Sequence, residues 1–229
     1  MTRIPARYSN GVNTLERPVA ALRDLRIPFR RNTVSKADHF VDFVPSAWTV
    51  TETQAGATQA VTGAIGGVLL LANSAADNDV NQIQGPEAYK LQAVKVTKFE
   101  ARVKLSEVIQ ADLFVGLSIL DADLVGGVTD FIGFRKDDGD ALLDFVCLKD
   151  SVGSNSVGLA TLVNDAWVSL GFVFNGVDIS VYIDSQRAAV IKNVVFPDDE
   201  ELAVTFSITN GEAVAKNLSI DYYVVEQEI

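Results

Sequence analysis

Residues 167–184 read Trp-Val-Ser-Leu-Gly-Phe-Val-Phe-Asn-Gly-Val-Asp-Ile-Ser-Val-Tyr-Ile-Asp. Val168, Leu170, Phe172 and Phe174 alternate with Ser169, Gly171, Val173 and Asn175. Val177, Ile179, Val181 and Ile183 then alternate with Asp178, Ser180, Tyr182 and Asp184. Successive side chains of a strand point to opposite faces, so each run buries one face and wets the other. Asn175-Gly176, between the runs, is a dipeptide that accepts the positive φ of a tight turn. The stretch predicts a β-hairpin.

The same period extends outward from it. Phe99, Ala101, Val103 and Leu105 alternate with Glu100, Arg102 and Lys104. Leu202, Val204, Phe206 and Ile208 alternate with Ala203, Thr205, Ser207 and Thr209, and Leu218, Ile220, Tyr222 and Val224 with Ser219, Asp221, Tyr223 and Val225. Segments 113–120 and 142–148 are apolar on both faces, Asp144 apart, as strands between two layers are. Asp138-Gly139 and Asn210-Gly211 are further hairpin-type dipeptides. From Phe40 onward there is no amphipathic helical stretch of ten or more residues and no internal repeat. About a dozen short strands with regular turn signals predict an all-β, antiparallel two-sheet jelly-roll sandwich.

Charge divides the chain in two. Residues 1–38 hold eight basic residues and three acidic ones, a net +5; the other 191 hold 11 basic and 27 acidic, a net −16. Pro5, Pro18 and Pro28 fall in the basic segment, where they remove donors and break regular structure. The expected organisation is a basic, extended N-terminal arm over 1–38 on a β-sandwich body over 39–229. A short helix over 18–26 interrupts the arm: Pro18 suits a first helical position, Val19, Leu22 and Leu25 share a face, and Pro28 stops it. Fully extended at ~3.3 Å per residue, the arm reaches roughly 125 Å, against a radius of gyration of about 16 Å for the body.

An arm of this composition has three readings. It is a solvated tail; it holds phosphate through its arginines; or it docks on a protein partner. Interspersed Ile4, Leu15 and Ile27 favour the third, because a solvated tail does not need them and they dilute any continuous basic block. The partner-binding set expected is Arg3, Arg7, Tyr8, Arg17, Leu22, Arg23, Leu25, Arg26, Phe29, Arg30 and Arg31. The overall charge of −11 argues against direct nucleic-acid binding by the whole protein.

Catalytic and metal constellations are weak. The chain has one Cys (Cys147) and one His (His39), which excludes an internal disulfide and any multi-histidine metal site. Cys147 lies in an apolar run, where a thiol behaves as a small hydrophobe, and His39 lacks a Gly-x-Ser-x-Gly partner and is expected as a partly buried structural residue. Gly63, Gly66 and Gly67 lack the Gly-Lys-Ser/Thr of a phosphate loop. Asp121, Asp123, Asp130, Asp137, Asp138, Asp140 and Asp144 crowd two loops, but their spacing is not that of a calcium loop, and turn geometry itself favours Asp. Trp48 and Trp167 fit core packing better than sugar stacking. No cofactor is expected. Neither a signal peptide nor a membrane span is expected: the charge-free stretch 53–76 has an apolar centre far shorter than the roughly 20 residues a spanning helix needs. A lone thiol fits synthesis in a reducing cytoplasm.

Two passages carry a family resemblance. Residues 166–185, with Trp167, a hydrophobic strand, a turn and Val-Tyr-Ile-Asp-Ser, resemble the hairpin of concanavalin A-like (laminin-G/glucanase-type) jelly rolls; residues 218–225, Leu-Ser-Ile-Asp-Tyr-Tyr-Val-Val, resemble their last strand. Ser185 stands where those proteins often have Gly, which questions the tight turn there. Jelly-roll glucanases carry Glu-x-Asp-x-x-Glu on one strand, and this chain has no such motif. Residues 99–106, 113–117, 132–136 and 210–212 are similar to jelly-roll capsid decoration or cement proteins of tailed bacteriophages. That resemblance implies a non-enzymatic virion structural protein on the capsid surface, synthesised in the host cytoplasm. Its partner is the major capsid protein, and it forms a homo-oligomer, a trimer in preference to a dimer. The alternative is a carbohydrate-binding, lectin-like module of a phage tail or fibre, with an exposed aromatic patch or the loops 121–144 holding calcium; a glucanase-like hydrolase is disfavoured by the missing motif.

Overall fold

Alternation of apolar and polar residues forces this chain to bury one face of nearly every segment, and two sheets packed face to face do so. The computed structural model describes residues 32–124 and 126–229. Fifteen strands follow in order: β1 (Thr33–Asp38), β2 (Thr49–Glu52), β3 (Thr58–Thr62), β4 (Val68–Ala72), β5 (Val80–Gln84), β6 (Thr97–Leu105), β7 (Ala111–Ser118), β8 (Phe131–Lys136), β9 (Leu142–Lys149), β10 (Val152–Thr161), β11 (Val168–Phe174), β12 (Ile179–Ile183), β13 (Gln186–Ile191), β14 (Ala203–Asn210) and β15 (Asn217–Glu228). The only helical element among the described residues is a 3₁₀ turn, Pro45–Ala47.

The first sheet runs β13-β12-β11-β6-β15-β4-β3, and the second β10-β9-β8-β7-β14-β5-β2. All pairings are antiparallel. β15 is long enough to pair twice along one side, with β4 through residues 217–220 and with β1 through residues 223–228. Thr33–Asp38 is thus a strand of the sandwich, although it lies in the segment expected as arm. The remaining arm residues from Arg3 to Arg31, and the helix expected over 18–26, lie outside the described residues.

Aromatic contacts join the sheets across the core. Phe145 of β9 meets Phe172 of β11 at 5.5 Å between ring centroids, and Phe206 of β14 meets Tyr223 of β15 at 5.9 Å. Trp48 packs against Phe40, Phe43 and Tyr223, with the Lys36 ammonium 5.3 Å from its ring.

Several expectations change on folding. The 167–184 hairpin forms as β11 and β12, starting at Ile179 rather than Val177, which is exposed in the turn. The next turn is tight despite Ser185: Asp184 (φ 46°) and Ser185 (φ 67°) both take the left-handed region of a two-residue hairpin turn. Alternation in the last strand predicts Tyr222 and Val224 inside. Instead a bulge between Ile220 and Tyr222 shifts the phase, and Tyr223 and Val225 are buried. Asn210-Gly211 is not a hairpin turn, because β14 and β15 belong to different sheets; the buried Asn210 amide instead donates to the carbonyls of Ser74 and Ala76, tying the crossover to a neighbouring loop.

Candidate functional site

β14 departs furthest from expectation. Its Thr205, Ser207 and Thr209 were expected on a wet face, yet all eight residues of the strand are buried. The cover is the loop between β7 and β8. Gln82 and Gln84 of β5 hold its start: the Gln82 amide donates to the Asp121 carbonyl (2.5 Å) and the Gln84 amide to the Ile119 carbonyl (2.9 Å), while Gln84 Oε1 accepts from the Asp121 N–H (3.2 Å). Leu124 and Val128 then pack on Phe114 and Phe131, whose rings meet edge to face at 5.0 Å, in a small apolar cluster separate from the main core. Gly116 and Gly133 are cross-strand partners on that same face, so their row is bare of side chains.

Under the loop, at the end away from this cluster, lies a cavity of about 250 Å³. Its floor comes from three adjacent strands. Thr209 sits between Val80 and Asp112, and Ser207 between Gln82 and Phe114. Asp123 and Leu124 belong to its roof. The Asp112 carboxyl accepts from the Asp138 N–H; burial pushes its pKa up, and the charges of Asp137 and Asp138 add to that.

The acidic residues of the two loops serve the turns. Asp121 accepts from the Asp123 N–H, Asp123 from the Gly126 N–H, Asp130 from the Asp150 N–H, Asp140 from the Leu142 N–H and Asp144 from the Gly158 N–H, while Asp137 pairs with Arg135 at 2.5 Å. Among the described residues no three His, Cys, Asp or Glu side chains are grouped to hold a metal ion.

The outer face of the first sheet carries the other ionisable cluster. Tyr222 donates to Glu100 (2.5 Å), Arg102 pairs with Asp221 (2.6 Å), and Arg102 and Lys104 lie over the Trp167 ring at 4.9 and 5.3 Å. Burial pushes the Glu100 carboxyl pKa up, partly offset by the Tyr222 hydrogen bond. His39 is exposed, not partly buried, with its ring 5.5 Å from that of Tyr222. Cys147 is fully buried; its thiol donates to the Val195 carbonyl, and burial, with the Asp130 charge adding, pushes its pKa up to about 12. Such a thiol is a poor nucleophile.

Sequence reading singled out none of Gln82, Ser207, Thr209 or Leu124. One signal was present: residues 202–210 contain no charge, and neither do 80–84, whereas a solvated strand face ordinarily carries some.

Nearly all-β layers in two antiparallel sheets define the molecule as a concanavalin A-like jelly roll, and solved structures agree. A protein of unknown function from Shewanella oneidensis MR-1 superposes with a TM-score of 0.59 at 13% identity, covering 95% of this chain and 97% of that one. The Bacillus licheniformis β-glucanase gives 0.61 at 12% identity over 85% and 98%. The Emp46p carbohydrate recognition domain, in its potassium-bound form, gives 0.54 at 14% over 82% and 94%. No protein-family model matches the chain, and no curated protein sequence matches it. At these identities the likeness is one of fold. Among the described residues no helix is long and apolar enough to cross a membrane.

Proposed function

We propose that the chain is a non-enzymatic virion structural protein: a capsid decoration or cement protein whose basic N-terminal segment clamps neighbouring subunits of the major capsid protein on the shell surface, with the body as a homo-oligomer, a trimer in preference to a dimer. The observation that carries this reading is the charge split, +5 over residues 1–38 against −16 over the rest. The segment's last six residues support it, because β1 fixes the root of the arm in the first sheet through six residue pairs with β15. A load taken by the arm therefore reaches the body through a built element. Absence of catalysis is supported by the loop carboxylates, which accept backbone N–H groups or pair with Arg135, and by the lack of Glu-x-Asp-x-x-Glu.

The test is deletion of residues 1–31, which spares β1. The truncated body is expected to keep its thermal transition and near-ultraviolet spectrum while losing co-sedimentation with purified, expanded phage heads. Normal attachment of the truncated protein would end the proposal. So would steady release of reducing sugar from β-glucans by the full chain.

A second reading, a lectin-like carbohydrate-binding module of a tail or fibre, is favoured by one observation, the polar cavity beneath the β7–β8 loop. A glycan array with and without chelator tests it.

A further inference from the structure

The cavity floor holds three polar atoms that the chain leaves without partners: Gln82 Oε1, Ser207 Oγ and Thr209 Oγ1. Their residues are 0%, 2% and 6% exposed. Buried polar groups almost always find a hydrogen-bond partner, because leaving one unmade costs about 1–3 kcal/mol. Three such atoms on one wall of one cavity are a concentrated cost. The Gln82 orientation is settled by its neighbours: the side-chain NH₂ reaches Gln84 Oε1 (3.0 Å) and the Asp121 carbonyl (2.5 Å), both acceptors only, so Oε1 is the atom left over.

The three atoms sit on a regular lattice. Ser207 and Gln82 are cross-strand partners, and Thr209 lies two residues along the same strand on the same face. Neighbouring positions are therefore about 5 Å apart across strands and about 7 Å apart along one. Asp112, partner of Thr209 on the other side, adds a carboxyl to the lattice, and Asp123 adds one from the roof. No Lys, Arg or His lines the cavity, so an anion finds no counter-charge there. Val80, Phe114 and Leu124 supply apolar surface beside the polar row. At about 30 Å³ of liquid volume per water, the space holds the equivalent of about eight waters.

A ligand suited to this wall must donate to an amide oxygen and to carboxyls, and both donate to and accept from two hydroxyls. It must carry no negative charge and expose some C–H surface. Neutral vicinal hydroxyls on a small carbon ring meet all four conditions. We propose that this cavity is a binding site for one neutral saccharide unit, with Gln82, Ser207 and Thr209 as its hydrogen-bonding floor and the β7–β8 loop as its cover. The inference rests on the carbohydrate-binding reading and names the site and ligand class within it.

The test titrates the full chain with glucose, mannose, galactose and glycerol, and separately with calcium chloride, following backbone and Gln side-chain amides by NMR. A saturable shift confined to 80–84, 121–126 and 205–210 is expected with at least one sugar. Thr209→Val and Ser207→Ala should each weaken that sugar at least threefold, and together at least tenfold, while their thermal transitions hold or rise because an unpartnered hydroxyl has gone. The Gln82 side-chain amide provides a readout in the unsubstituted chain should a variant fail to fold. Sugar binding that ignores both substitutions overturns this site but leaves the carbohydrate reading standing. Silence from every sugar here and on the glycan array overturns both. Response to calcium alone, or a cavity holding water only, overturns the proposed ligand class.

Discussion

Leu124→Ala tests whether the β7–β8 loop is the element that buries β14. Leu124 is 4% exposed and belongs to a cluster of four buried residues, Phe114, Leu124, Val128 and Phe131. The substitution removes three carbons, worth about 2.4 kcal/mol at about 0.8 kcal/mol per buried methylene. A satellite cluster under a loop relaxes more easily than a main core, so the cavity penalty that carries buried Leu→Ala changes up to about 5 kcal/mol should be small. The loop also opens as a unit, and that limits the effect: once the loop is released in the folded state, further loss of contacts no longer counts against global stability. The expected outcome is a loss of about 2 kcal/mol by denaturant titration, a fall in melting temperature of roughly 4–8 °C, and a much larger local change. Amide exchange at Asp121, Asp123, Gly126 and Gly127, whose N–H groups are bonded within the loop or to Gln84, should accelerate by about 30-fold, the factor that 2 kcal/mol sets. Exchange in β6 and β11 should follow only the global change. If all amides accelerate together, or if the loop amides are unchanged, the loop is not a separable cover and the account of the buried β14 face is wrong.

Ser185→Gly should stabilise the fold by about 0.5–1 kcal/mol in denaturant titration, because it removes the left-handed strain of a side chain at φ 67° against the entropy a glycine loses; a destabilised variant would show that the turn is not strained. Glu100→Gln should raise the melting temperature at neutral pH and bring less benefit in acid. The folded-state pKa of Glu100 is raised, so its favourable contribution is present at low pH and is lost as pH rises through the folded value. A gap that widens toward low pH contradicts this. Cys147 should resist aromatic disulfide reagents at pH 8 until the protein unfolds, since the thiol is buried and its pKa lies near 12; rapid labelling of folded protein would contradict the packing described for β9.

The sequence made the sandwich legible wherever period two ran unbroken. In β6 and β11, polar and apolar residues alternate in register with the sheet, and the structure follows them residue by residue. It was silent where backbone geometry interrupts the count. The bulge at β15 moves Tyr223 rather than Tyr222 into the core, and no composition rule marks the extra residue. Lys136 misleads in a similar way. It follows Ile132 and Phe134 on the inward face, and it stays buried because its ammonium is capped by the carbonyls of Ala111 and Ile109, contacts that exist only once β7 and β8 are side by side. The candidate site was hidden for the same reason. Thr205, Ser207 and Thr209 look like a solvated row until a loop some eighty residues earlier in the chain is laid across them. Local pattern sets which residues share a face, and only tertiary contact decides whether that face is wet.

The pairing of β1 along β15 has a mechanical consequence. The Ile229 N–H bonds to the Asn32 carbonyl at 2.8 Å, so the described beginning of the chain and its last residue meet at one edge of the pair. A pull applied at Asn32 along the strand axis loads all six residue pairs in shear at once, whereas a pull across the sheet peels them open singly from that edge. An attachment through the N-terminal segment is therefore direction-sensitive, tough against sliding and weak against lifting.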